Sequence, residues 1–581
     1  MRLAGLLLFL VACGGKPSTP APVPALPGPR VVTSNVLRAD YAGSEACADC
    51  HADIYKAWAA SPMRNMTRDA ATATVRAPFD GATLQVGSST ATMRMDGGQR
   101  VMDVVTPQGK DTYRITKVVG GRYREDFVGV ANGRERVLPA TYVFATRSWR
   151  YKGYSVMVKE RPQMSVNAVW SQECIACHNT MPLAFNLYDD IYGPDLPGYQ
   201  AKLSDRTLPK SLTWRASIRD GDRLVDALTA EIQFLGGQPT QDTARSLIKE
   251  AAAITQDKLD GKTLVEIGIG CEACHNGSKQ HVDDPHVLPS FAVQSNAIGV
   301  SPPPKQDGTR AQWINHTCAK CHTVLFTRYP YTWEGGGRRK NPGGSTTNSG
   351  EGRDYQLGGC ASAMTCTTCH DPHGEDDHQR LQQLATPAGN AVCAKCHTEI
   401  AAAVESHSHH KAGSAGTSCV ACHMPKKNMG LDYETVRYHR IGSPTAPARV
   451  TGDRPLECAL CHADKSVESL VQTMEQWWKK SFDRAPLRAL YGDDLGVNVM
   501  RATLVRGKPH EQAAAVAVLG EIRERSALPV MAPLLAHDYP LVRYYVKRAI
   551  EKITGQPVDV EVNAPAAEVL RAAQRWLASQ R

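Results

Sequence analysis

Aromatic side chains are scarce in this sequence: Phe, Trp and Tyr make up 6% of 581 residues, and only 9 of those residues are Phe. A chain of this length holds about two to four domains, so apolar bulk has to come from something other than large side chains. Long apolar runs are lacking too. The run LAGLLLFLVA, residues 3–12, is too short to span a bilayer, and no other window could. Ser-His-Asp, phosphate-loop and dinucleotide signatures are absent, which removes the common hydrolase, NTPase and nicotinamide readings. The formal charge of +9 comes without a basic run interleaved with aromatics, so nucleic acid is not implied.

Cysteine, by contrast, is abundant. Eighteen of them would be hazardous in a reducing cytosol and point to an exported protein. Arg2 precedes the apolar run, which ends in Leu10-Val11-Ala12-Cys13 before Gly14-Gly15. This resembles a bacterial lipoprotein signal over 1–12, with Cys13 the lipidated first residue of the mature chain. An ordinary secretory signal with an incidental Cys is the plainer alternative. Gly14 carries no inner-membrane retention signal, so an outer-membrane anchor facing periplasm or cell surface is expected. KPSTPAPVPALPGP then reads as a disordered tether over 13–40.

Cys-x-x-Cys-His occurs eight times. The motifs are Cys47-Cys50-His51, Cys174-Cys177-His178, Cys271-Cys274-His275 and Cys318-Cys321-His322. They continue as Cys366-Cys369-His370, Cys393-Cys396-His397, Cys419-Cys422-His423 and Cys458-Cys461-His462. Two thiols one turn apart can reach the two vinyl groups of a haem, and the adjacent imidazole then lies under the iron. Zinc sites also use Cys-x-x-Cys but do not require a His directly after it, and disulfides place no constraint there. With only 19 His in the chain, its presence after all eight pairs predicts eight covalently bound haem c. Cys360 is then left over, an inert small residue in the plain reading, with a redox role as the alternative. Eight ferric haems would bring the charge from +9 to roughly +1, and eight ferrous ones to roughly −7. The excess of Lys and Arg therefore neutralises cofactor.

The layout predicts an α+β chain. A haem 1 segment over 41–70 precedes a β-rich insert over 71–165. There TATMRM, RVMDVV, DTYRITKVV and ERVLPATYVF are separated by Asp96-Gly97-Gly98, Pro107-Gln108-Gly109 and Asn132-Gly133. The insert carries no chemical residues and reads as scaffold or docking surface. A haem module over 166–465, holding haems 2–8, is Gly-, Pro- and His-rich with little periodicity beyond helical runs such as TARSLIKEAAAI. From Ser466 to 581 amphipathic helices take over, and the pair from His510 to Ile553 resembles a HEAT repeat. A cap packed on the haem module is the simpler reading of these helices.

The ordered set ACADCH…W…S, VLPATY, GCEACHNGSKQHV, CTTCHDPHG, HSHHKAGSAGTSCVACHMP, RYHRI and ECALCHADKS resembles bacterial multihaem cytochromes related to tetrahaem cytochrome c-554, over roughly residues 43–480. Larger members of that family end in helical repeats. The resemblance implies a secreted protein with mostly bis-histidine irons, and it implies His281, His373, His407, His410 and His439 as distal ligands. His409 stands where the family is usually aromatic. His286, His316 and His378 are weaker candidates, and His510 and His537 read as ordinary. Relatives usually carry a His shortly after the Trp-x-x-Ser that follows the first motif. Here Trp58-Ala59-Ala60-Ser61 leads only to Met63 and Met66, and no His lies between His51 and His178. Met63 is the expected sixth ligand of the first iron, with Met66, a remote His or an open site as alternatives.

Two functions remain. An electron carrier would pass charge through closely packed irons to redox partner proteins in the envelope. A multihaem reductase of a small nitrogen or sulfur oxyanion would need one open haem. Such reductases often carry Lys in place of a motif His, and no motif here does. A sensor or adhesion scaffold would not need eight haems.

Overall fold

The computed structural model describes residues 30–192, 208–304, 306–323, 329–337, 343–346, 350–375 and 377–580. The signal, Cys13 and the tether up to residue 29 lie outside the described residues. Residues 30–40, expected within the tether, belong to the fold. Arg30–Val31 pairs in parallel with Val287–Leu288, Asn35 and Val36 are fully buried, and Arg38 grips the Glu231 carboxylate at 2.8 Å.

The architecture mixes helices with antiparallel strands, as an α+β chain should. After helix α1 (Ala52–Ala60), nine strands form one antiparallel sheet: β1 Thr67–Asp69, β2 Ala82–Val86, β3 Ser89–Asp96, β4 Gln99–Thr106, β5 Gly109–Gly120, β6 Arg124–Ala131, β7 Arg134–Val137, β8 Ala140–Val143 and β9 Ser148–Tyr151. Their order is β9-β8-β6-β5-β4-β3-β2, with β1 added to β5 and β7 to β6. Alternation fixes the register: along β3, Ser89, Ala91 and Met93 point inward between less buried neighbours. Asn132 and Gly133 both take positive φ, 54° and 78°, which lets a two-residue turn join β6 to β7.

A second core forms around α2 (Gly221–Phe234) and α3 (Ala244–Lys258). Leu224, Leu228 and Ile232 recur at helical spacing on one, and Leu247, Ile248 and Ala251 on the other, all fully buried. Each starts on a side-chain cap, Asp220 accepting from the Arg223 amide and Thr243 from that of Ser246, worth about 1 kcal/mol apiece.

The C-terminal helices are α5 (Val467–Trp478), α6 (Arg484–Tyr491), α7 (Val499–Arg506), α8 (Pro509–Glu521), α9 (Pro540–Thr554) and α10 (Ala566–Ser579). They share one continuous core with the sheet. Arg150 of β9 donates to the Tyr433 hydroxyl at 2.9 Å, and Tyr433 stacks on Tyr544 of α9. α8 is buried on nearly all sides. A Cβ on Gly520 would lie 2.8 Å from that of Ala549, so glycine is what lets α8 and α9 pack this closely.

Between these bodies the chain changes character. From 356 to 424 no apolar side chain is buried among the described residues, and no helix there exceeds seven residues. This segment has no core of its own.

Candidate haem-binding sites

Each Cys-x-x-Cys-His sits on a short helical turn, such as Cys271–His275, Cys419–His423, or the end of the longer helix α4 (Arg310–His322). The turn brings both sulfurs to one side, with the His beside them. None of the sixteen motif cysteines forms a disulfide. Among the described residues no three His, Cys, Asp or Glu side chains converge as a metal-ion cage.

Histidine rings face one another in five pairs. His51 and His281 have ring centres 6.3 Å apart, and His275 and His373 6.1 Å. His370 and His439 are 6.3 Å apart, His423 and His407 6.1 Å, and His462 and His410 6.0 Å. Two metal–nitrogen bonds of about 2.0 Å, plus about 1.1 Å from each nitrogen to its ring centre, place two imidazoles about 6.2 Å apart across one iron. Every pair joins one motif His to one of the five histidines singled out as distal.

The ring nitrogens are oriented for the same task. Nδ1 donates to a backbone carbonyl in His281 (Val287, 2.9 Å), His410 (Ser408, 2.7 Å), His423 (Gly442, 3.0 Å) and His439 (Arg437, 3.0 Å). In His370 it meets the Asp377 carboxylate at 2.9 Å, and in His322 that of Glu351 at 3.3 Å. Anchoring Nδ1 leaves Nε2 as the free donor to a metal. Burial lowers the His275 pKa to about 4, which favours the neutral ring that a metal needs. Burial also opposes charge on His322, but Glu351 outweighs it and lifts that ring to about 9. The sequence reading missed Asp377 and Glu351; a carboxylate seven residues after a motif His is too common a pattern to single out.

The residues thus fit covalently held haem. Thiols are paired on a turn, imidazoles are spaced for an iron, and the segment carrying motifs 5 to 7 has no apolar filling of its own. The comparisons agree. The doubled CXXCH motif family matches residues 360–402, and the cytochrome c552 family matches residues 403–492. The chain is a multihaem c-type cytochrome. No curated protein matches this cytochrome. Among solved structures, "Crystal Structure of Outer Cell Wall Cytochrome OcwA" aligns with 93% of it and 100% of that chain, at 15% identity and a TM-score of 0.37, a likeness too loose to carry an argument.

Other candidates fall elsewhere. The ring that faces His51 is that of His281. The reason is long-range: Trp58 donates to the Ile269 carbonyl at 3.0 Å and Arg64 to that of Ile267 at 2.6 Å. These bonds lay the first motif against the third, whose following turn carries His281. Met63 stands in the turn after α1, where its carbonyl accepts from the Met66 and Ile269 amides. Met66 packs at the edge of the α2–α3 core. His316 lies 4.5 Å from the Trp214 ring, and burial lowers its pKa to about 3. His378 accepts from Gln382 at its Nε2, and His409 packs between Trp477 and Trp478. The His286 amide bonds to Asp284. His537 uses both ring nitrogens in hydrogen bonds. His510 is fully buried against Trp333 and pairs with the Tyr329 hydroxyl. Cys360 is half-buried, and burial raises its thiol pKa.

Proposed function

We propose that this cytochrome is an octahaem electron carrier, exported and lipid-anchored through Cys13, that passes electrons between redox partner proteins in the cell envelope. The observation that carries this reading is the set of five facing imidazole pairs. An iron held on both faces exchanges one electron and offers no open position to a substrate. In this reading Cys47 and Cys50, Cys174 and Cys177, Cys271 and Cys274, Cys318 and Cys321, Cys366 and Cys369, Cys393 and Cys396, Cys419 and Cys422, and Cys458 and Cys461 each tether one haem. His51 with His281, His275 with His373, His370 with His439, His423 with His407 and His462 with His410 hold five irons. His178, His322 and His397 hold one face of the other three. His281 then takes the place expected of Met63. The helices around His510–Ile553 act as a HEAT-like cap; supporting this, they share a core with the sheet and touch the 429–434 hairpin through Tyr545.

Pyridine haemochrome analysis should give eight haems per chain; six or fewer would remove several motifs from the set. Cys13→Ser should shift the protein from the membrane to the soluble fraction, since each buried CH₂ of an acyl chain contributes about 0.8 kcal/mol. Persistence in the membrane fraction would reject the anchor.

His281→Ala should let the reduced protein bind one more carbon monoxide than wild type, and Met63→Ala should add none. The reverse outcome would restore Met63 as ligand.

One observation favours a reductase as second reading. His178 belongs to none of the five facing pairs, and its Nδ1 is buried without a partner. Burial first, and then the charge of Lys152, hold its pKa at about 4, with Arg124 adding to the effect. Both cations pair with Asp126, so what an open iron there would offer a small oxyanion is a coordination position. Wild-type protein that takes up no carbon monoxide would remove this reading.

A further inference from the structure

Three contacts between motifs repeat one design. The residue three before the first Cys of one motif accepts a hydrogen bond from the first Cys amide of another. Ser44 Oγ caps Cys271 at 2.9 Å, Asn315 Oδ1 caps Cys366 at 2.9 Å, and Asn390 Oδ1 caps Cys419 at 2.8 Å. In each case the first thiols of the two motifs also touch: Cys47 with Cys271, Cys318 with Cys366, and Cys393 with Cys419. The design runs one way, because the capped motifs carry Gly268, Ala363 and Gly416 at the equivalent position, none with a side-chain acceptor. Ser171, before the second motif, spends its hydroxyl on the Gln256 carbonyl instead.

Looser contacts join these pairs. Lys320 between the Cys of motif 4 donates to the Ala273 carbonyl of motif 3 at 3.3 Å. Cys369 lies within electrostatic reach of Cys393, and Cys422 within reach of Cys458 and Cys461. Motif 2 touches the rest differently: its turn, Ile175–His178, packs against the helix Arg310–His322 that ends in motif 4, with Cys177 on the side of Cys321. A haem's thioether edge sits on its cysteines, so touching sulfurs put two such edges side by side.

We propose that the chain pairs its haem sites 1 with 3, 4 with 5 and 6 with 7, lines them up in the order 1–3–4–5–6–7–8, and hangs site 2 from site 4 as a side branch, with Ser44, Asn315 and Asn390 as the positioning residues that set the pairs. The sequence order of motifs is therefore not their order in space, and site 4 is a junction with three neighbours, sites 3, 5 and 2. This rests on haem attachment at all eight motifs, as read above.

The test uses the haem-loaded protein. An electron cryo-microscopy or crystal structure should place the iron of site 2 nearest that of site 4, and the remaining irons in the stated order. Any other nearest neighbour for site 2, or a broken order, overturns the inference. Asn390→Leu removes the acceptor at nearly constant size and should move the midpoint potentials of two haems of the eight in a spectroelectrochemical titration. Asn390→Asp keeps an acceptor oxygen and should restore them. Potentials unchanged in Asn390→Leu, or shifted throughout, would remove the positioning role, and if neither variant folds the wild-type structure still decides the order. Fewer than eight haems on the protein would fail the underlying reading, whereas eight in another arrangement would fail this inference alone.

Discussion

Made without haem attachment, the chain should be cut by protease first between Gln356 and Asn428. Among the described residues of that stretch Pro425 alone buries an apolar side chain, and hydrophobic burial contributes about 25 cal/mol per Å². With its short turns left to their own backbone bonds, this segment should open at almost no cost, since isolated helices below about 12 residues are marginal in water. The sheet holds its own core, with Phe79, Phe127 and Trp149 in edge-on contact at 5.2 and 5.6 Å, and the C-terminal helices join it. Cleavage within 356–428 should therefore run more than about tenfold faster in the haem-free chain than in the loaded one, while the sheet and α8–α9 persist. Limited proteolysis read by mass spectrometry checks this. Equal protection of the segment in both forms would mean that the polypeptide alone stabilises it.

Arg543→Met should be the most damaging single substitution outside the haem sites. The Arg543 side chain is 1% exposed. It donates to the carbonyls of His537 (2.6 Å), Val562 (3.1 Å) and Ala564 (3.0 Å), and pairs with Glu160. Methionine fills much of the volume but leaves three carbonyls without a donor and a carboxylate without its cation. Breaking a buried pair costs about 3–5 kcal/mol, and each orphaned buried group about 1–3. These bonds tie α9 to the segment after the sheet, so the loss should appear as a lower denaturant midpoint followed by far-UV circular dichroism. Lys552→Met is the control. Lys552 also pairs with two carboxylates, Glu434 and Glu521, but it is partly exposed and should cost less than about 1 kcal/mol. Equal effects from the two variants would mean that burial of Arg543 contributes nothing special.

Local signals were legible in the sequence and remote ones were not. The eight motifs could be read because a haem needs its two sulfurs and its imidazole within five consecutive residues. The hairpin at Asn132-Gly133 could be read because positive φ selects those residues. Strand β6 is harder to read, since it opens on three charged residues, Arg124-Glu125-Asp126, of types that strands ordinarily disfavour. In the structure Glu125 is fully buried and accepts from the Arg76 and Ala77 amides, while Asp126 bonds to Lys152 and Thr141. Charges inside a strand become readable only once their partners are known. The same holds for residues 30–40, whose polar composition suggests a tether until Arg38 meets Glu231. Nothing near His51 in sequence indicates His281, because the link runs through Trp58 and Arg64 to a segment more than two hundred residues on.

That remoteness has a consequence for how the protein is made. Under the proposed pairing, the distal ring for site 1 follows the third motif, that for site 3 follows the fifth, and that for site 5 follows the seventh. A chain emerging from its translocon N-terminus first would carry each of these haems for a time with one face bare, awaiting sequence that has not yet arrived. Sites 7 and 8 differ, because His407 and His410 precede both of their motifs. The last two haems can therefore close as soon as they are attached, and site 7 would close before site 5, which waits for His439, so ligation departs from the order of synthesis.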